Sequence, residues 1–104
     1  MGQGNLTMKT YTVRRRSAWA DAEELQRAAA RSRRVGDEEM PSQVRWLRTY
    51  VLDEPDGRLG TICIYQAVSP EAIFEHARRA GLRADEVCEV ANTVVVREDP
   101  APNV

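Results

Sequence analysis

Residues 44–67 read VRWLRTYVLDEPDGRLGTICIYQA, and this stretch decides the fold. Two runs rich in β-branched and aromatic residues, 44–52 and 59–67, flank a turn-forming cluster that contains Pro55 and Gly57. This pattern predicts a β-hairpin. Strict alternation would place Trp46, Arg48 and Tyr50 on one side of its first strand. Cys63 and Tyr65 would share one side of its second strand, and the sequence leaves open whether the two sets face the same way.

Downstream of the hairpin, the sequence predicts a helix over 70–80. Ser69 has the position of an N-cap with Pro70 at the first helical position, and Gly81 stands where a left-handed residue is wanted. Leu82 is expected to fold back onto the helix end. The residues predicted to face the sheet are Ile73, Ala77 and Ala80.

Upstream of the hairpin, alternation over 9–15 predicts a strand, and an alanine-rich stretch through Arg34 predicts a helix. Either Ser17 or Asp21 can cap this helix, Gly36 is expected to end it, and 37–42 is expected to be a loop. The stripe predicted to face inward contains Trp19, Ala22, Leu25, Ala28 and Ala29. A last strand is predicted over 86–96.

The order strand, helix, hairpin, helix, strand predicts a single α+β domain of the ferredoxin-like kind, β-α-β-β-α-β. The first strand should lie between the third and the fourth, with two helices on one face of an antiparallel sheet. The domain should span 9–97, between flexible tails at 1–8 and 98–104. The uncovered face carries aromatic residues, so we expect a homodimer of the α+β-barrel kind through this open face.

The composition excludes several function classes. The chain has 104 residues, 30% of them charged, and a formal net charge of -1, which argues against a nucleic-acid or anionic-membrane surface. No apolar run is long enough to span a bilayer, and the expected compartment is the cytoplasm. The two cysteines, Cys63 and Cys88, would lie on strands two spacings apart, roughly 9.6 Å, which is too far for a disulfide.

His76 is the only histidine, so nucleophilic triad chemistry could be built only around it. No phosphate-binding glycine loop or dinucleotide fingerprint is present. At the edge of the second helix's inward stripe, His76 fits a packed boundary residue. It also fits a metal ligand, because imidazole is a common ligand of borderline metals and carboxylates are close in sequence. Cys63 fits a small core residue better than a nucleophile.

Motifs spread over 9–96 resemble a family of small bacterial proteins. They are Val44-Arg45-Trp46, Thr49-Tyr50-Val51, Cys63-Ile64-Tyr65, Ser69-Pro70-Glu71-Ala72-Ile73, His76-Ala77, Ala80-Gly81-Leu82, Glu86-Val87 and Glu89-Val90. This family is the domain of unknown function forty-two forty-two, some of whose members are named nickel-binding proteins. The resemblance implies a ferredoxin-like dimer that binds nickel or another divalent metal. The motif positions with donor atoms are His76, Cys63, Tyr65, Glu71 and Glu89.

Three functions remain open from the sequence. The first is a non-enzymatic divalent-metal binder. The second is a dimeric interaction or regulatory domain that takes no small ligand. The third is a cofactor-poor α+β-barrel enzyme of the monooxygenase or isomerase kind. In that case Trp46, Tyr50 and Tyr65, with His76 beside them, would line a pocket on the open sheet face.

Overall fold

The computed structural model describes residues 7–102. Its four strands are β1 (Lys9–Trp19), β2 (Val44–Asp53), β3 (Leu59–Ala67) and β4 (Glu86–Glu89), and its two helices are α1 (Ala22–Arg34) and α2 (Pro70–Ala80). A π-helical turn, Val35–Glu39, continues directly from α1. The predicted N-terminal tail lies mostly outside the described residues, and the flexibility of both tails stays a prediction. Within 7–102, no helix is both long and apolar enough to cross a membrane.

The sheet is antiparallel with the strand order β2-β3-β1-β4, as the predicted ferredoxin-like arrangement requires. Both helices cover the same sheet face, which we call the helix face. Directly paired residues share a face, so Tyr11 and Val13 of β1 lie beside Tyr65 and Cys63 of β3 on the helix face. All four are buried in the core between sheet and helices. The opposite side is called the open face.

The prediction that Trp46, Arg48 and Tyr50 share one side of β2 is wrong. Trp46 pairs with Tyr65 and Arg48 pairs with Ile64, so β2 contains one extra residue, Leu47, at this point. Such a bulge shifts the alternation by one position. Trp46 therefore lies on the helix face with Tyr65, whereas Arg48 and Tyr50 lie on the open face.

The first helix ends at Arg34 as predicted, but the residues that flank it differ from the prediction. Trp19 belongs to β1, which extends past a bulge beyond Arg15. Asp21, rather than Ser17, is the N-cap and accepts a hydrogen bond from the backbone N–H of Glu24. Gly36 does not end the helix, because the chain continues through the π-helical turn to Glu39, where a loop was expected. Of the predicted inward stripe, Ala28 is buried and Ala22 is exposed.

The second helix matches the prediction closely. Ser69 caps its N-terminus, and Ile73, Ala77 and Ala80 are buried against the sheet. Gly81 has a φ of 71°, and the backbone N–H of Leu82 donates to the carbonyl of Ala77 at 2.8 Å. This is the predicted left-handed glycine cap, with Leu82 packed against the core.

The predicted last strand over 86–96 is too long, since β4 ends at Glu89. Tyr11 of β1 pairs with Glu89, and the backbone N–H of Val90 donates to the carbonyl of Thr10. Because β1 begins at Lys9, the residues after β4 have no partner strand within 7–102. They run beside the open face instead, where Tyr50 donates a hydrogen bond to Asp99 at 2.5 Å.

Two glycines should respond in opposite ways to alanine. A Cβ on Gly36 would meet only the His76 ring, at 3.7 Å, in a helical backbone, so Gly36→Ala should keep or raise the free energy of unfolding by up to about 1 kcal/mol. Gly81→Ala should lower it by about 1 kcal/mol, because a Cβ is disfavoured at a φ of 71°. Urea unfolding of the two variants checks this. Destabilisation of Gly36→Ala as large as that of Gly81→Ala would contradict it.

Candidate functional site

A largely apolar cavity of about 430 Å³ lies between α1 and the helix face of the sheet. Its lining residues come from α1 and from β1, β2 and β3, together with Leu82 just after α2. The apolar residues that line it are Trp19, Ala22, Leu25, Ala28, Ala29, Trp46, Val51, Leu59 and Leu82. The polar residues are Arg15, Gln26, Ser32, Thr49, Thr61, Cys63 and Tyr65. The volume is within the roughly 300–1,000 Å³ range of small-molecule sites.

Arg15 is the only arginine in the wall of this cavity and is 1% exposed. Its Nε donates to the carbonyl oxygen of Arg83 at 2.6 Å, and its Nη1 donates to the sulfur of Cys63 at 3.3 Å. Its Nη2 is buried and has no hydrogen-bond partner among residues 7–102. A guanidinium in this position carries a full charge into a poorly hydrated space.

Cys63 lies in a polar patch at the floor of the cavity. The hydroxyl of Thr49 donates to its sulfur at 3.1 Å, and Arg15 approaches the same sulfur. Cys63 is buried in the core, as expected, and the fold also brings the Arg15 cation to it, which no neighbour in the sequence does. This contact joins residues 48 positions apart in the chain. Cys88, by contrast, is exposed on the other sheet face, and both cysteines are free thiols.

Tyr65 connects the cavity to His76. Its hydroxyl lies 3.2 Å from the hydroxyl of Ser32, and its ring stacks on Trp46 with centroids 6.3 Å apart. The His76 ring meets Tyr65 edge-on, with centroids 5.4 Å apart. Burial raises the pKa of Tyr65, although the nearby Arg15 guanidinium opposes the rise. Tyr65 therefore stays a neutral hydroxyl at ordinary pH.

His76 is 1% exposed, more deeply buried than a boundary residue. Its Nε2 lies 2.9 Å from the carbonyl oxygen of Ser32, which can only accept, so Nε2 carries the proton. Nδ1 then holds a lone pair and has no partner among the described residues. Burial lowers the pKa of His76, and the charge of Arg15 adds to this effect. The imidazole is held neutral at pH 7.

The five predicted metal ligands do not come together within one chain. Cys63, Tyr65 and His76 lie in the core, whereas Glu71 is exposed at the start of α2 and Glu89 is exposed on β4, 3.6 Å from Lys9. Within 7–102, no three histidine, cysteine or acidic side chains are grouped as metal ligands would be. The buried lone pair of His76 is one donor without companions. A nickel ion does not fit this set in a single chain.

The predicted open-face set is also divided by the sheet. Trp46 and Tyr65 line the cavity on the helix face, and only Tyr50 lies on the open face. There the hydroxyl of Tyr50 bonds Asp99, which also pairs with Arg48. Any pocket built on Trp46 and Tyr65 therefore lies under α1, not on the open face.

Arg15 is the residue that the sequence reasoning missed. It sits in the run Arg14-Arg15-Arg16, a pattern typical of a solvated corner. Alternation along β1 is the signal that could have found it, because it puts Arg15 on the same face as Tyr11 and Val13. The flanking arginines follow the ordinary pattern: Arg14 pairs with Glu54 and Arg16 pairs with Glu86.

Fold and site together define a small ferredoxin-like α+β protein with an apolar cavity beneath its first helix and no grouped metal ligands in the described chain. Comparison with protein families matches residues 11–90 to the family described as "Nickel responsive protein SCO4226-like", and the chain belongs to this family. Among solved structures, it is similar to the crystal structure of SCO4226 from Streptomyces coelicolor A3(2). The TM-score is 0.65 at 21% sequence identity, over 82% of this chain and 99% of that chain. Comparison with curated proteins found no match.

Proposed function

We propose that this protein is a non-enzymatic nickel-binding protein whose ion is held between two chains. The observation that carries the proposal is the family match over 11–90, because the family is described as nickel responsive. A response to nickel requires that the ion favour one state of the protein over another. Nickel is then the effector or cargo of the protein, not a catalytic cofactor.

Exposed donor atoms support a site between two chains. Glu86 and Cys88 lie opposite Arg14 and Thr12 in the register of β4 with β1, so both project from the open face. Both are exposed. The open face of this strand offers only these two neighbouring donors in one chain, since Glu89 lies on the helix face. A second copy would double them to four, the number that completes a tetrahedral or square-planar site.

Exposed apolar residues on the open face support a homodimer through this face. Tyr50 is 43% exposed, and Val95, at 69%, lies in an exposed valine run that spans 94–96. Exposed apolar patches of this kind are typical of protein–protein contacts. Burial of this surface would stabilise a dimer by about 25 cal/mol for each Å² of apolar area removed from water.

Equilibrium dialysis against Ni²⁺ with elemental analysis tests the proposal, with sedimentation velocity on the same samples. We expect one nickel ion for each two chains and a dimer in solution. Cys88→Ser should weaken nickel binding at least about tenfold, because it removes a thiolate donor from each chain. Binding should also release protons.

Two variants control this experiment. Glu23→Gln removes an exposed carboxylate on α1, far in sequence from β4, and should leave nickel binding unchanged. His76→Gln should also retain nickel if the ligands are on the open face. Loss of nickel only in His76→Gln would instead favour the set predicted from the sequence. Failure of the native protein to bind nickel would overturn the proposal and leave a dimeric interaction domain.

A further inference from the structure

We propose that the cavity beneath α1 binds a small amphipathic acid, with its single anionic group at Arg15 and its apolar body among the tryptophan and leucine side chains. This site is independent of the nickel site, since it lies on the helix face and uses none of the exposed donors. The ligand class is a monocarboxylate with one aliphatic chain or a compact ring system.

The charge of Arg15 is the first argument. A buried guanidinium is normally paired with a carboxylate, because an unpaired buried charge costs several kcal/mol. Arg14 is paired in this way, since its Nη2 lies 2.9 Å from Oε2 of Glu54. Arg15 is more deeply buried, yet its described partners are a carbonyl and a thiol sulfur, and its Nη2 has none. A bound anion would supply the missing countercharge.

The cavity wall is the second argument, because its chemistry determines what kind of ligand body can bind beside the anionic group. Trp46 donates its indole N–H to the Thr49 hydroxyl at 2.8 Å, so this polar atom is satisfied within the protein. Trp19, Leu25 and Leu82 complete walls that offer a ligand body mainly apolar contacts. These surfaces favour hydrocarbon or aromatic groups over sugars and nucleotides.

The number of donors near Arg15 restricts the anionic group to one charge. The other polar residues of the wall, Thr61 and Ser32 among them, are uncharged, and no second cation among the described residues lines the cavity. A phosphate dianion would need more positive charge than one guanidinium provides. A carboxylate matches both the charge and the planar shape of Arg15.

Tryptophan fluorescence gives a direct readout, because both tryptophans of the chain, Trp19 and Trp46, line the cavity. The full-length protein is titrated with decanoate and, separately, with decan-1-ol, which has the same chain length without the charge. We expect saturable binding of decanoate at least about tenfold tighter than that of decan-1-ol, as one charge-assisted hydrogen bond provides. Calorimetric titration confirms the stoichiometry of one ligand per chain.

Arg15→Met keeps the length of the side chain and removes its charge. It should weaken decanoate binding at least about tenfold and leave decan-1-ol binding unchanged or tighter. Arg33→Met is the matched control, because Arg33 is exposed on α1, does not line the cavity and should bind both probes like the native protein. Ala29→Leu narrows the cavity while Arg15 stays intact, and it should weaken both probes.

Three results would overturn the proposal. They are no saturable binding of decanoate to the native protein, equal affinity for decanoate and decan-1-ol, and unchanged decanoate affinity in a folded Arg15→Met variant. The first two results are measured on the native protein, so they test the proposal even if Arg15→Met does not fold. Nickel binding is measured on the same native sample, so failure of the one site is distinguished from failure of the other.

Discussion

Replacing Glu54 with alanine is expected to lower the free energy of unfolding by about 2 kcal/mol, because it leaves a partly buried cation and a backbone N–H without their partner. The Glu54 side chain is 9% exposed and lies 2.9 Å from Nη2 of Arg14. Its Oε2 also accepts the backbone N–H of Ser17 at 3.1 Å, and Ser17 has a φ of 49°. Loss of the carboxylate leaves a partly buried cation and frees a strained turn in the β1 bulge.

Urea unfolding followed by tryptophan fluorescence measures this effect. Glu23→Ala is the matched control, since Glu23 forms an exposed pair with Arg27 at 3.8 Å on α1. Such a surface pair contributes about 0.3–0.5 kcal/mol. Similar losses of stability in Glu54→Ala and Glu23→Ala would show that Glu54 does not hold the bulge.

Gly60 explains how the chain accommodates Glu54. A Cβ on Gly60 would lie 2.7 Å from the backbone carbonyl oxygen of Arg15 and would also collide with the Glu54 carboxylate. Gly60, which lies on β3 opposite the β1 bulge, therefore has no room for a side chain. The β1 bulge at Ser17 thus depends on a side chain, Glu54, that is 37 positions away in the chain.

This dependence explains which parts of the fold could be predicted. Element order, the hairpin, the helix-face residues of α2 and its glycine cap follow from patterns within about ten residues, and the structure confirms them. The extra residue at Leu47 has no signature in the neighbouring sequence. Because of it, Trp46 lies on the helix face while Arg48 and Tyr50 lie on the open face. Gly36 resembles a helix end, but burial of Val35 and Met40 on either side carries the chain through a π-helical turn.

The candidate site was harder to predict than the fold for the same physical reason. His76 and Tyr65 were selected from their residue types, and both are buried in contact with one another. The cavity is lined by residues from α1 and from three strands, and no local pattern determines how these elements pack together. Arg15 acquires its unusual environment from Cys63 and Arg83, which are 48 and 68 positions away.

Acidification should destabilise the protein through His76, and this effect begins below about pH 6.5. Burial lowers the pKa of His76 in the folded state, whereas the unfolded chain titrates near the ordinary value of 6.5. Between these two pKa values the unfolded state binds a proton that the folded state excludes. The free energy of unfolding should therefore fall as pH falls, by up to about 1.4 kcal/mol per pH unit.

The window between pH 5.5 and 7 isolates this group, because His76 is the only histidine. Tyr65, whose ring meets His76, stays neutral there, since burial raises its pKa. The hydrogen bonds from Arg78 and Arg79 lower the pKa of Glu75 to about 2, so the loss of that ion pair belongs to much more acidic conditions.

Urea unfolding at half-unit steps from pH 5.5 to 8 measures the slope, and His76→Gln is the decisive comparison. Glutamine can donate its amide N–H to the Ser32 carbonyl, as His76 does at 2.9 Å, but it has no proton to gain. The variant should be less stable at pH 8, because packing against Tyr65 is altered, and its stability should be flat between pH 5.5 and 7. An equally steep slope in both proteins would assign the acid sensitivity to carboxylates instead. A steep slope in the native protein alone means that the core excludes protons from His76, so metal binding at this imidazole would require the core to open first.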